Sequence, residues 1–339
     1  MGRATPFAAS LGFILTLAAA AAAEPYRLYV SNEHDASITI IDPVKGIATG
    51  VIPISSRPGE VRPRGLAISP NGETIYAAVS DFLPRTESPE DAIVAIDVAS
   101  NTIVRRYHAG GNPERVAISP DGKQIWAALE ARAQVVGIDV DSGEELGRFQ
   151  TGVESEGVAV SPDGRFVYVT AETSHTVTVV DAQALKVVTH LLVGNRPRDV
   201  VFAPDGKRAY VSAEIGGTIT VIDTARHKVV QTINLGLDSR PVELDLSPDG
   251  ARLYVAGGGT NAVYVVDTAT GKVVKVVKER MGRRPWGIAV SPDGSRIFTA
   301  NGLSDSVGLV GAGCLCVEGE VAAGRGAHSV KVGVVHAAR

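Results

Sequence analysis

The chain has 339 residues, of which 45% are hydrophobic and 21% charged, and its formal net charge at pH 7 is −4. Without an excess of basic residues it lacks the attraction to phosphate that nucleic-acid binding requires, so no nucleic acid is expected as a partner. Its 2 cysteines are too few for a disulfide framework, so burial must hold the fold together.

The first segment in chain order, residues 1–23, is typical of a secretory signal peptide. A short basic start precedes the apolar stretch Phe7–Ala20, and the small residues Ala21–Ala23 follow before Glu24. Signal peptides have these three parts in this order. We therefore expect a mature chain of residues 24–339 that forms one soluble, monomeric domain in the periplasm or outside the cell, with no membrane span.

A short turn motif recurs along the rest of the chain. Ser-Pro-Asn-Gly begins at residue 69, Ser-Pro-Asp-Gly at residues 119, 161, 247 and 291, and Ala-Pro-Asp-Gly at residue 203. The intervals between these positions are 50, 42, 42, 44 and 44 residues. A period of about 40–45 residues with strand-like segments is typical of β-propeller blades.

Four strand-like segments follow one another in each repeat, and the third repeat has them at Glu156–Ser161, Phe166–Ala171, Thr176–Asp181 and Val187–Val193. The motif Pro162-Asp163-Gly164 joins the first two. Proline presets φ, aspartate bonds to nearby backbone and glycine accepts a positive φ, so the motif predicts a hairpin turn. Val, Ile and Tyr fill the strands, as expected for sheets buried between neighbouring blades.

The third strand of most repeats ends in aspartate. We interpret these residues as turn caps rather than as metal ligands or catalytic groups, because aspartate readily accepts hydrogen bonds from nearby backbone. They are Asp42, Asp97, Asp139, Asp181, Asp223 and Asp267.

The two ends of the chain complete the ring of blades. Residues 26–54 contain segments equivalent only to strands two, three and four of a repeat, and residues 327–333 only to a first strand. Joined, they form one blade, which makes seven with the six complete repeats. We therefore predict an all-β, seven-bladed β-propeller of four-stranded antiparallel blades, closed by a 3+1 composite blade of N- and C-terminal strands.

Four second strands share a Tyr-Val start: Tyr29–Asn32, Tyr168–Ala171, Tyr210–Ala213 and Tyr254–Gly257. Through these strands nearly the whole mature chain resembles the YVTN-repeat β-propeller family. That resemblance implies the same fold as the repeats do.

Three further segments, Ser212–Thr218, Arg284–Gly287 and Thr299–Gly302, resemble one branch of that family, the PQQ-dependent catabolism-associated β-propeller proteins. This resemblance implies an accessory or binding role in periplasmic alcohol oxidation by quinoprotein dehydrogenases, and it implies no reaction. The chain departs from the branch pattern at Gly311, which replaces the usual aspartate, at Cys314-Leu315-Cys316, and in the insertions of blade one.

In propellers of this kind the first strands line the axis, and equivalent residues form rings at one mouth of the central channel. Alignment on the turn motif places these residues in one ring: Arg64, Glu114, Glu156, Arg198, Val242, Trp286 and His328. A second ring lies two positions earlier: Arg62, Asn112, Glu154, Arg196, Arg240, Arg284 and Gly326. Four second strands end at an equivalent glutamate: Glu33, Glu130, Glu172 and Glu214.

Different side chains at one repeated position predict a ligand site, because repeat proteins adapt a common scaffold there. Arginines of the two rings could hold a carboxylate or phosphate bidentately, and Trp286 could stack on a planar ring. Alternatively, arginines and glutamates pair around the rim, each surface pair contributing about 0–1 kcal/mol, and Trp286 plugs the channel. The predicted ligand-binding residues are Arg62, Arg64, Glu114, Glu156, Arg196, Arg198, Arg240, Arg284, Trp286, His328, Glu33, Glu130, Glu172 and Glu214.

Two insertions occur in blade one on the same face. Asp81–Glu90, between the second and third strands, and Ser55–Val61, before the first strand, are both longer than their counterparts in other repeats. They predict either a lid or docking loop over blade one, or a tolerated surface insertion.

No catalytic or cofactor motif stands out. The chain lacks C-x-x-C-H, G-x-S-x-G and H-E-x-x-H, and its 2 tryptophans are too few for the eight Trp-rich blades of a PQQ-binding dehydrogenase, so no cofactor is expected. Cys314 and Cys316 favour a reduced or surface cysteine pair over a metal site or a disulfide across one residue. His34, His175 and His328 map to the candidate face, but they belong to blades seven, three and seven, which disfavours a shared metal site.

Three functions remain open. The leading hypothesis is a periplasmic binding or accessory protein, whose partner is a small anionic ligand or a quinoprotein dehydrogenase. The second is a propeller hydrolase of lactonase type, with Glu156, Arg198 and His328 as the residues to test. The third is a non-catalytic propeller subunit of a periplasmic dehydrogenase, which requires a flat apolar docking patch.

Overall fold

The computed structural model describes residues 1–2, 26–82 and 88–334 of the chain. The predicted signal peptide, apart from its first two residues, lies outside this part. The described residues form seven four-stranded antiparallel sheets and two short 3-10 helices, Glu130–Arg132 and Leu237–Ser239. None of the helices in the described residues is long and apolar enough to cross a bilayer.

The strands follow one another along the chain with short connections. The first three are β1 (Tyr26–Asn32), β2 (Ser37–Asp42) and β3 (Ile47–Pro53). Blade one contains β4 (Val61–Ile68), β5 (Thr74–Asp81), β6 (Ala92–Asp97) and β7 (Thr102–His108). Blade two contains β8 (Pro113–Ile118), β9 (Gln124–Leu129), β10 (Gln134–Asp139) and β11 (Glu145–Gln150). Blade three contains β12 (Ser155–Val160), β13 (Phe166–Ala171), β14 (Thr176–Asp181) and β15 (Lys186–Leu192).

The second half of the chain continues the same pattern. Blade four contains β16 (Pro197–Phe202), β17 (Arg208–Ala213), β18 (Thr218–Asp223) and β19 (Lys228–Asn234). Blade five contains β20 (Pro241–Leu246), β21 (Arg252–Gly257), β22 (Ala262–Asp267) and β23 (Lys272–Val277). Blade six contains β24 (Pro285–Val290), β25 (Arg296–Asn301), β26 (Ser306–Gly311) and β27 (Cys316–Ala322). The last strand is β28 (Ala327–Val334).

The seventh blade joins the two ends of the chain. Its strand order is β28-β1-β2-β3, and β28 pairs antiparallel with β1, with Leu28 opposite Val332 and Val30 opposite Val330. The first strands of successive blades contact one another in an unbroken cycle from β4 through β24 to β28 and back to β4. The predicted seven-bladed propeller with a 3+1 composite blade is therefore confirmed.

The recurring turn has the structure that its residues predict. In blade three the Ser161 hydroxyl donates to the Asp163 carboxylate at 2.5 Å and accepts from the Phe166 N–H at 2.9 Å. Gly164 has φ 73° and donates its N–H to the Ser161 carbonyl at 2.8 Å. Glycine is suited to this left-handed conformation because it has no Cβ to clash. The motif therefore joins the first two strands of a blade as a tight hairpin.

Apolar side chains fill the spaces between adjacent blades. Between blades two and three, Trp126 and Val135 pack against Val167 and Val169, and all four are fully buried. Gly137 leaves room for the indole, because a Cβ there would lie 2.9 Å from Trp126 Cη2. Each such buried side chain stabilises the fold by about 1.5–3 kcal/mol. Seven of these interfaces form one core around the channel.

The aspartates at the ends of the third strands cap the next turn. Asp181 accepts hydrogen bonds from the N–H groups of Gln183 at 3.1 Å and Ala184 at 2.8 Å. The other five also accept bonds from the turn that follows them: Asp42, Asp97, Asp139, Asp223 and Asp267. The interpretation of these residues as turn caps is confirmed.

Blade six replaces this cap with a disulfide. Cys314 and Cys316 are bonded to each other, with their Cα atoms 5.2 Å apart, so the expected reduced pair is wrong. Leu315 adopts a left-handed conformation with φ 49°, which folds the chain tightly enough to bring the two Cα atoms into the range that disulfides require. Gly311 makes space, because a Cβ there would lie 2.8 Å from Cys314 Sγ.

Candidate functional site at the channel mouth

The second ring of the channel mouth is built from residues in an uncommon backbone conformation. Asn112, Glu154, Arg196, Arg240 and Arg284 all have φ between 44° and 61°, in the left-handed region that non-glycine residues rarely adopt. Neighbouring groups hold some of them there. The Arg196 N–H donates to His175 Nδ1 at 3.1 Å, and the Arg284 N–H donates to Asn261 Oδ1 at 2.8 Å. Residues held in this way concentrate at functional sites.

The same ring fixes the glutamates that follow the second strands. The N–H of Glu172 donates to the carbonyl of Glu154 at 2.8 Å, and the N–H of Glu214 donates to the carbonyl of Arg196 at 2.8 Å. Glu33 and Glu130 make the equivalent bonds to Gly326 at 3.0 Å and Asn112 at 3.1 Å. One repeated backbone bond therefore brings four carboxylates to the channel mouth.

On the blade-one side, two arginines lie among carboxylates. Arg64 contacts Glu114 at 2.6 Å, Glu33 at 3.3 Å and Glu156 at 3.5 Å. Arg62 contacts Glu114 at 3.0 Å. The carboxylates within 4.0 Å of these two guanidinium groups are those of Glu33, Glu114, Glu130 and Glu156. Both arginines are thus neutralised by several glutamates.

The blade-four side repeats this arrangement. Arg198 contacts Glu214 at 2.6 Å and Glu156 at 3.3 Å, and it also donates to Glu172. Arg196 lies 2.8 Å from Glu172 and 3.3 Å from Glu214. Glu156 therefore bridges the two sides, since it contacts both Arg64 and Arg198. The expected alternative, arginine paired with glutamate between blades, describes these four arginines.

The ion pairs of Arg64 and Arg198 with Glu114, Glu156, Glu172 and Glu214 are buried, unlike pairs on a protein surface, whereas Arg196 is partly exposed. Burial alone would raise the pKa of Glu156, but Arg198 and Arg64 outweigh it and hold that pKa below its ordinary value. Burial raises the pKa of Glu114 well above its ordinary value. Burial and the neighbouring Glu156 raise the pKa of Glu172 to about 8. The same cluster of charges therefore shifts the pKa values of neighbouring carboxyl groups in opposite directions.

The blade-six side carries aromatic rings instead of carboxylates. The guanidinium groups of Arg284 and Arg198 lie 4.6 Å and 5.1 Å from the ring centre of Trp286, whose side chain is only 8% exposed. His328 lies 5.4 Å from Trp286 between ring centres. Burial and the nearby Arg64 hold the pKa of His328 well below its ordinary value, so the ring is neutral. Among the described residues, Trp286 Nε1 and both nitrogens of His328 have no hydrogen-bond partner.

A cavity of about 420 Å³ opens between these groups. Of the predicted residues, eleven line it: Glu33, Arg62, Arg64, Glu130, Glu156, Glu172, Arg196, Arg198, Arg284, Trp286 and His328. Glu114 and Glu214 lie behind this wall and pair with its arginines. Arg240 is exposed and lies outside the cavity wall, and so does Val242.

The cavity wall also contains residues that were not predicted. Phe82 and His34 stack with ring centres 5.5 Å apart, and Arg62 lies 5.4 Å from the Phe82 ring. Phe82 begins the insertion in blade one, which brings that insertion to the cavity. Residues 83–87 of the predicted lid lie outside the described residues.

A second polar layer, which the sequence reasoning missed, lies next to the mouth. Arg115 contacts Glu243 at 2.6 Å and Asp199 at 3.9 Å, and Lys331 lies 3.8 Å from Glu243. Glu243 accepts the N–H of Ile288 at 3.1 Å, which ties blade five to blade six. These residues follow the first ring by one position or, for Lys331, three. Charged residues at normally apolar strand positions were the signal that could have identified them.

The histidines on this face do not gather around one point. His34 and His328 line the cavity, whereas His175 Nδ1 accepts the backbone N–H of Arg196. Within residues 26–82 and 88–334, no group of three or more His, Cys, Asp or Glu side chains is arranged to hold a metal ion.

The fold and the cavity together define a seven-bladed propeller with a polar cavity at one mouth of its channel. The sequence profile of the YNCE-like beta-propeller family matches residues 59–248, which is more than half of the chain. The chain therefore belongs to the YNCE-like beta-propeller family. No curated protein matches it.

Several solved structures share the fold. A functionally unknown protein from Desulfotomaculum acetoxidans has a TM-score of 0.76 at 17% identity over 90% of this chain and 98% of its own. A candidate 6-phosphogluconolactonase from Bacteroides uniformis has a TM-score of 0.73 at 17% identity over 91% and 100%. Hydrazine synthase from Kuenenia stuttgartiensis has a TM-score of 0.68 at 20% identity over 79% and 88%. Identities this low show a shared fold alone.

Proposed function

We propose that this protein is an exported β-propeller that binds a small anionic molecule at the channel mouth, in an accessory role beside quinoprotein alcohol oxidation. One observation carries the ligand part of the proposal. Arg284 lines the cavity and is exposed, and among the described residues no carboxylate lies within 4.0 Å of its guanidinium group. It is the cavity arginine whose charge remains available for a ligand.

The groups beside Arg284 suit an acid that also carries hydroxyl or carbonyl oxygens. Within residues 26–82 and 88–334, Trp286 Nε1 is a donor without a partner, and the neutral His328 ring offers one donor and one acceptor. A carboxylate on Arg284 would be held by charge-assisted hydrogen bonds, which contribute about 1.5–3 kcal/mol. The ligand class is therefore a small polar carboxylate or phosphate, smaller than the cavity of about 420 Å³.

Arg284 and Arg240 provide a matched test. Both precede a proline, both are left-handed and exposed, and only Arg284 lines the cavity. Gluconate, PQQ and inorganic phosphate would be titrated separately by calorimetry into the wild type, Arg284→Gln and Arg240→Gln. We expect at least one probe to bind the wild type and Arg240→Gln equally, and Arg284→Gln about 10- to 100-fold more weakly. No binding by any probe, or unchanged binding by Arg284→Gln, would contradict the proposal.

The export and accessory parts are supported by the signal-like residues 1–23 and by the resemblance to the PQQ-associated branch. N-terminal sequencing of the protein recovered from the periplasmic fraction should begin at Glu24. Addition of a purified quinoprotein dehydrogenase should raise the melting temperature, because a partner that binds the native state stabilises it. A chain retained in the cytoplasm with its first residues intact would contradict export.

A lactonase is the second candidate function. Glu156, Arg198 and His328 line one cavity, and the carboxyl of Glu172, with a pKa of about 8, could donate a proton to the leaving oxygen of an opening lactone. The fold shared with a candidate 6-phosphogluconolactonase adds general support. Hydrolysis of 6-phosphogluconolactone by the wild type and its loss in Glu156→Gln would favour this function over simple binding. Absence of hydrolysis above the uncatalysed rate would eliminate it for that substrate.

A further inference from the structure

Blades five and six carry a group of exposed cations beside the cavity. The loops that lead into the first strands of these blades contain four of them, which we call the basic patch: Arg240, Lys278, Arg280 and Arg283. Among the described residues none of the four has an ion-pair partner, whereas elsewhere on this face Arg57 pairs with Glu60 at 2.6 Å and Arg325 pairs with Asp35 at 2.6 Å. The same loops also contain two exposed carboxylates, Asp238 and Glu279, and neither forms an ion pair with the four cations. Together with Arg284 the loops hold five cations and two carboxylates, so this region is positive in a chain with a net charge of −4.

Backbone hydrogen bonds join the loops of the two blades into one surface. The N–H of Leu303 donates to the carbonyl of Arg283 at 3.2 Å, and the N–H of Gly258 donates to the carbonyl of Arg240 at 3.1 Å. The bond from the Arg284 N–H to Asn261 Oδ1 links blade six to blade five. The basic patch is therefore a connected surface rather than a set of separate loop tips.

Large aliphatic side chains are exposed on the same loops. Leu237 is 72% exposed and lies in the same loop as Arg240. Leu303 is 56% exposed, and its N–H donates to the carbonyl of Arg283. Ile215 and Val153 extend this exposure to the loops of blades four and three. Protein interfaces are enriched in arginine and bury apolar area. Exposed aliphatic side chains beside arginines therefore suit a protein interface.

The surface fits a protein better than it fits a nucleic acid or a lipid. Phosphodiester backbones would pair with the arginines but leave both leucines in water. The nearest aromatic ring for base stacking, Trp286, is only 8% exposed. Membrane association through a basic surface needs a broad apolar face, whereas Leu237, Leu303, Ile215 and Val153 are single exposed side chains on four different blades.

We propose that the basic patch, with Leu237 and Leu303, docks a partner protein that presents an acidic segment flanked by aliphatic side chains. Opposite charge would speed and orient the encounter, and burial of the leucines would stabilise the complex. Leu303 also lines the cavity, so the docking surface adjoins the small-ligand site. Arg280 and Arg283 do not line it, so the charges proposed for the partner differ from those proposed for the small ligand.

The test uses a defined probe and a charge-matched control. The probe is a labelled 15-residue peptide with four glutamates around two leucines. It would be titrated into the wild type, the patch double variant Arg280→Glu/Arg283→Glu and the single variant Leu237→Ser. The charge-matched control is the double variant Lys272→Glu/Lys275→Glu. The control lysines are exposed on β23, at the outer edge of blade five. We expect binding that weakens with salt, about tenfold or greater loss in the patch double variant, a smaller loss in Leu237→Ser, and no loss in the control.

Comparison probes decide the class of partner. The same peptide with lysine for glutamate should not bind, and serine for leucine should weaken binding. The proposal would be overturned if a single-stranded oligonucleotide or phosphatidylglycerol vesicles bound the wild type as tightly as the peptide does and bound the patch variant no longer. Equal peptide binding by the wild type and the patch variant would also overturn it. Unchanged small-anion binding in the patch variant would show that the cavity is intact, so the two proposals can fail separately.

Discussion

The two sides of the channel mouth use arginine at the same repeated position in different ways. On the side of blades one and four, Arg62 and Arg196 face glutamates and are paired. On the side of blades five and six, Arg240 and Arg284 have no carboxylate partner in the described part of the chain. The fold is the same on both sides, so the difference lies in whether neighbouring residues place a carboxylate beside the arginine.

One difference is a glycine at the repeated position where four other blades carry Glu33, Glu130, Glu172 and Glu214. The N–H of Gly258 bonds to the carbonyl of Arg240, and the N–H of Gly302 bonds to the carbonyl of Arg284 at 3.0 Å, in the way that Glu172 and Glu214 bond in blades three and four. Blades five and six thus keep the backbone link but lose the carboxylate. In a repeat protein, one such change converts a structural arginine into one available for binding.

Removal of a buried arginine on the paired side should have the largest effect. Arg198→Ala leaves Glu156, Glu172 and Glu214 without their main counter-charge in a buried site, which should lower the free energy of unfolding by about 3–5 kcal/mol. The exposed Arg283→Ala should change it by less than about 0.5 kcal/mol. Urea denaturation of both variants would measure these values. A loss below about 1 kcal/mol in Arg198→Ala would mean that the buried pairs contribute little to the fold.

The paired side should also give stability a distinctive pH dependence. Because the pKa of Glu172 is about 8 when folded and 4.5 ordinarily, the folded chain binds more protons than the unfolded chain between these values. The free energy of unfolding should therefore fall as pH rises from about 4.5 to about 8, and Glu172→Gln should abolish that part of the fall. At about 1.4 kcal/mol per pKa unit, the difference should reach a few kcal/mol.

Chemical denaturation across this pH range would test the assignment. The exposed Glu144→Gln serves as the control and should follow the wild type at every pH. Parallel curves for Glu172→Gln and the wild type would show that Glu172 titrates near its ordinary pKa.

Conversion of the unpaired side to the paired arrangement should change binding and leave stability nearly unaltered. Gly302→Glu places a carboxylate beside Arg284, and the nearest atom to a new Cβ is the carbonyl oxygen of Ala327 at 3.2 Å. We expect loss of small-anion binding with a stability change within about 1 kcal/mol, since exposed pairs contribute that little. Calorimetry and thermal denaturation would measure the two quantities. Retained binding would place the anion elsewhere in the cavity.

Most of the architecture was predictable from the sequence. The turn motif at residues 69–72 and its five successors marked the blades, and the unequal ends at residues 26–54 and 327–333 predicted the splice. Both predictions succeed because each blade repeats the same local chemistry. The Cys314–Cys316 disulfide was missed because it depends on the left-handed conformation of Leu315, which the residue type disfavours.

The candidate site was only partly predictable. Thirteen of the fourteen predicted residues lie in the cavity wall or pair with it, and Arg240 does not. Which arginines pair depends on side chains from adjacent blades, and sequence alignment does not give those distances. The layer of Arg115, Asp199 and Glu243 was missed because the first strands shift register between Pro113 and Arg115, and again between Pro197 and Val200. Such a bulge changes the direction of the next side chain.

The composite blade has a consequence for how the molecule is made. Strands β1 to β3 are synthesised before the other described strands, yet their inner neighbour β28 follows all of them, so ring closure must wait for β28. Until then β1 has an unpaired inner edge, and the incomplete ring has two unsealed blade faces. The ring of this propeller therefore remains open until the eight residues of β28, Ala327–Val334, are available to pair with β1.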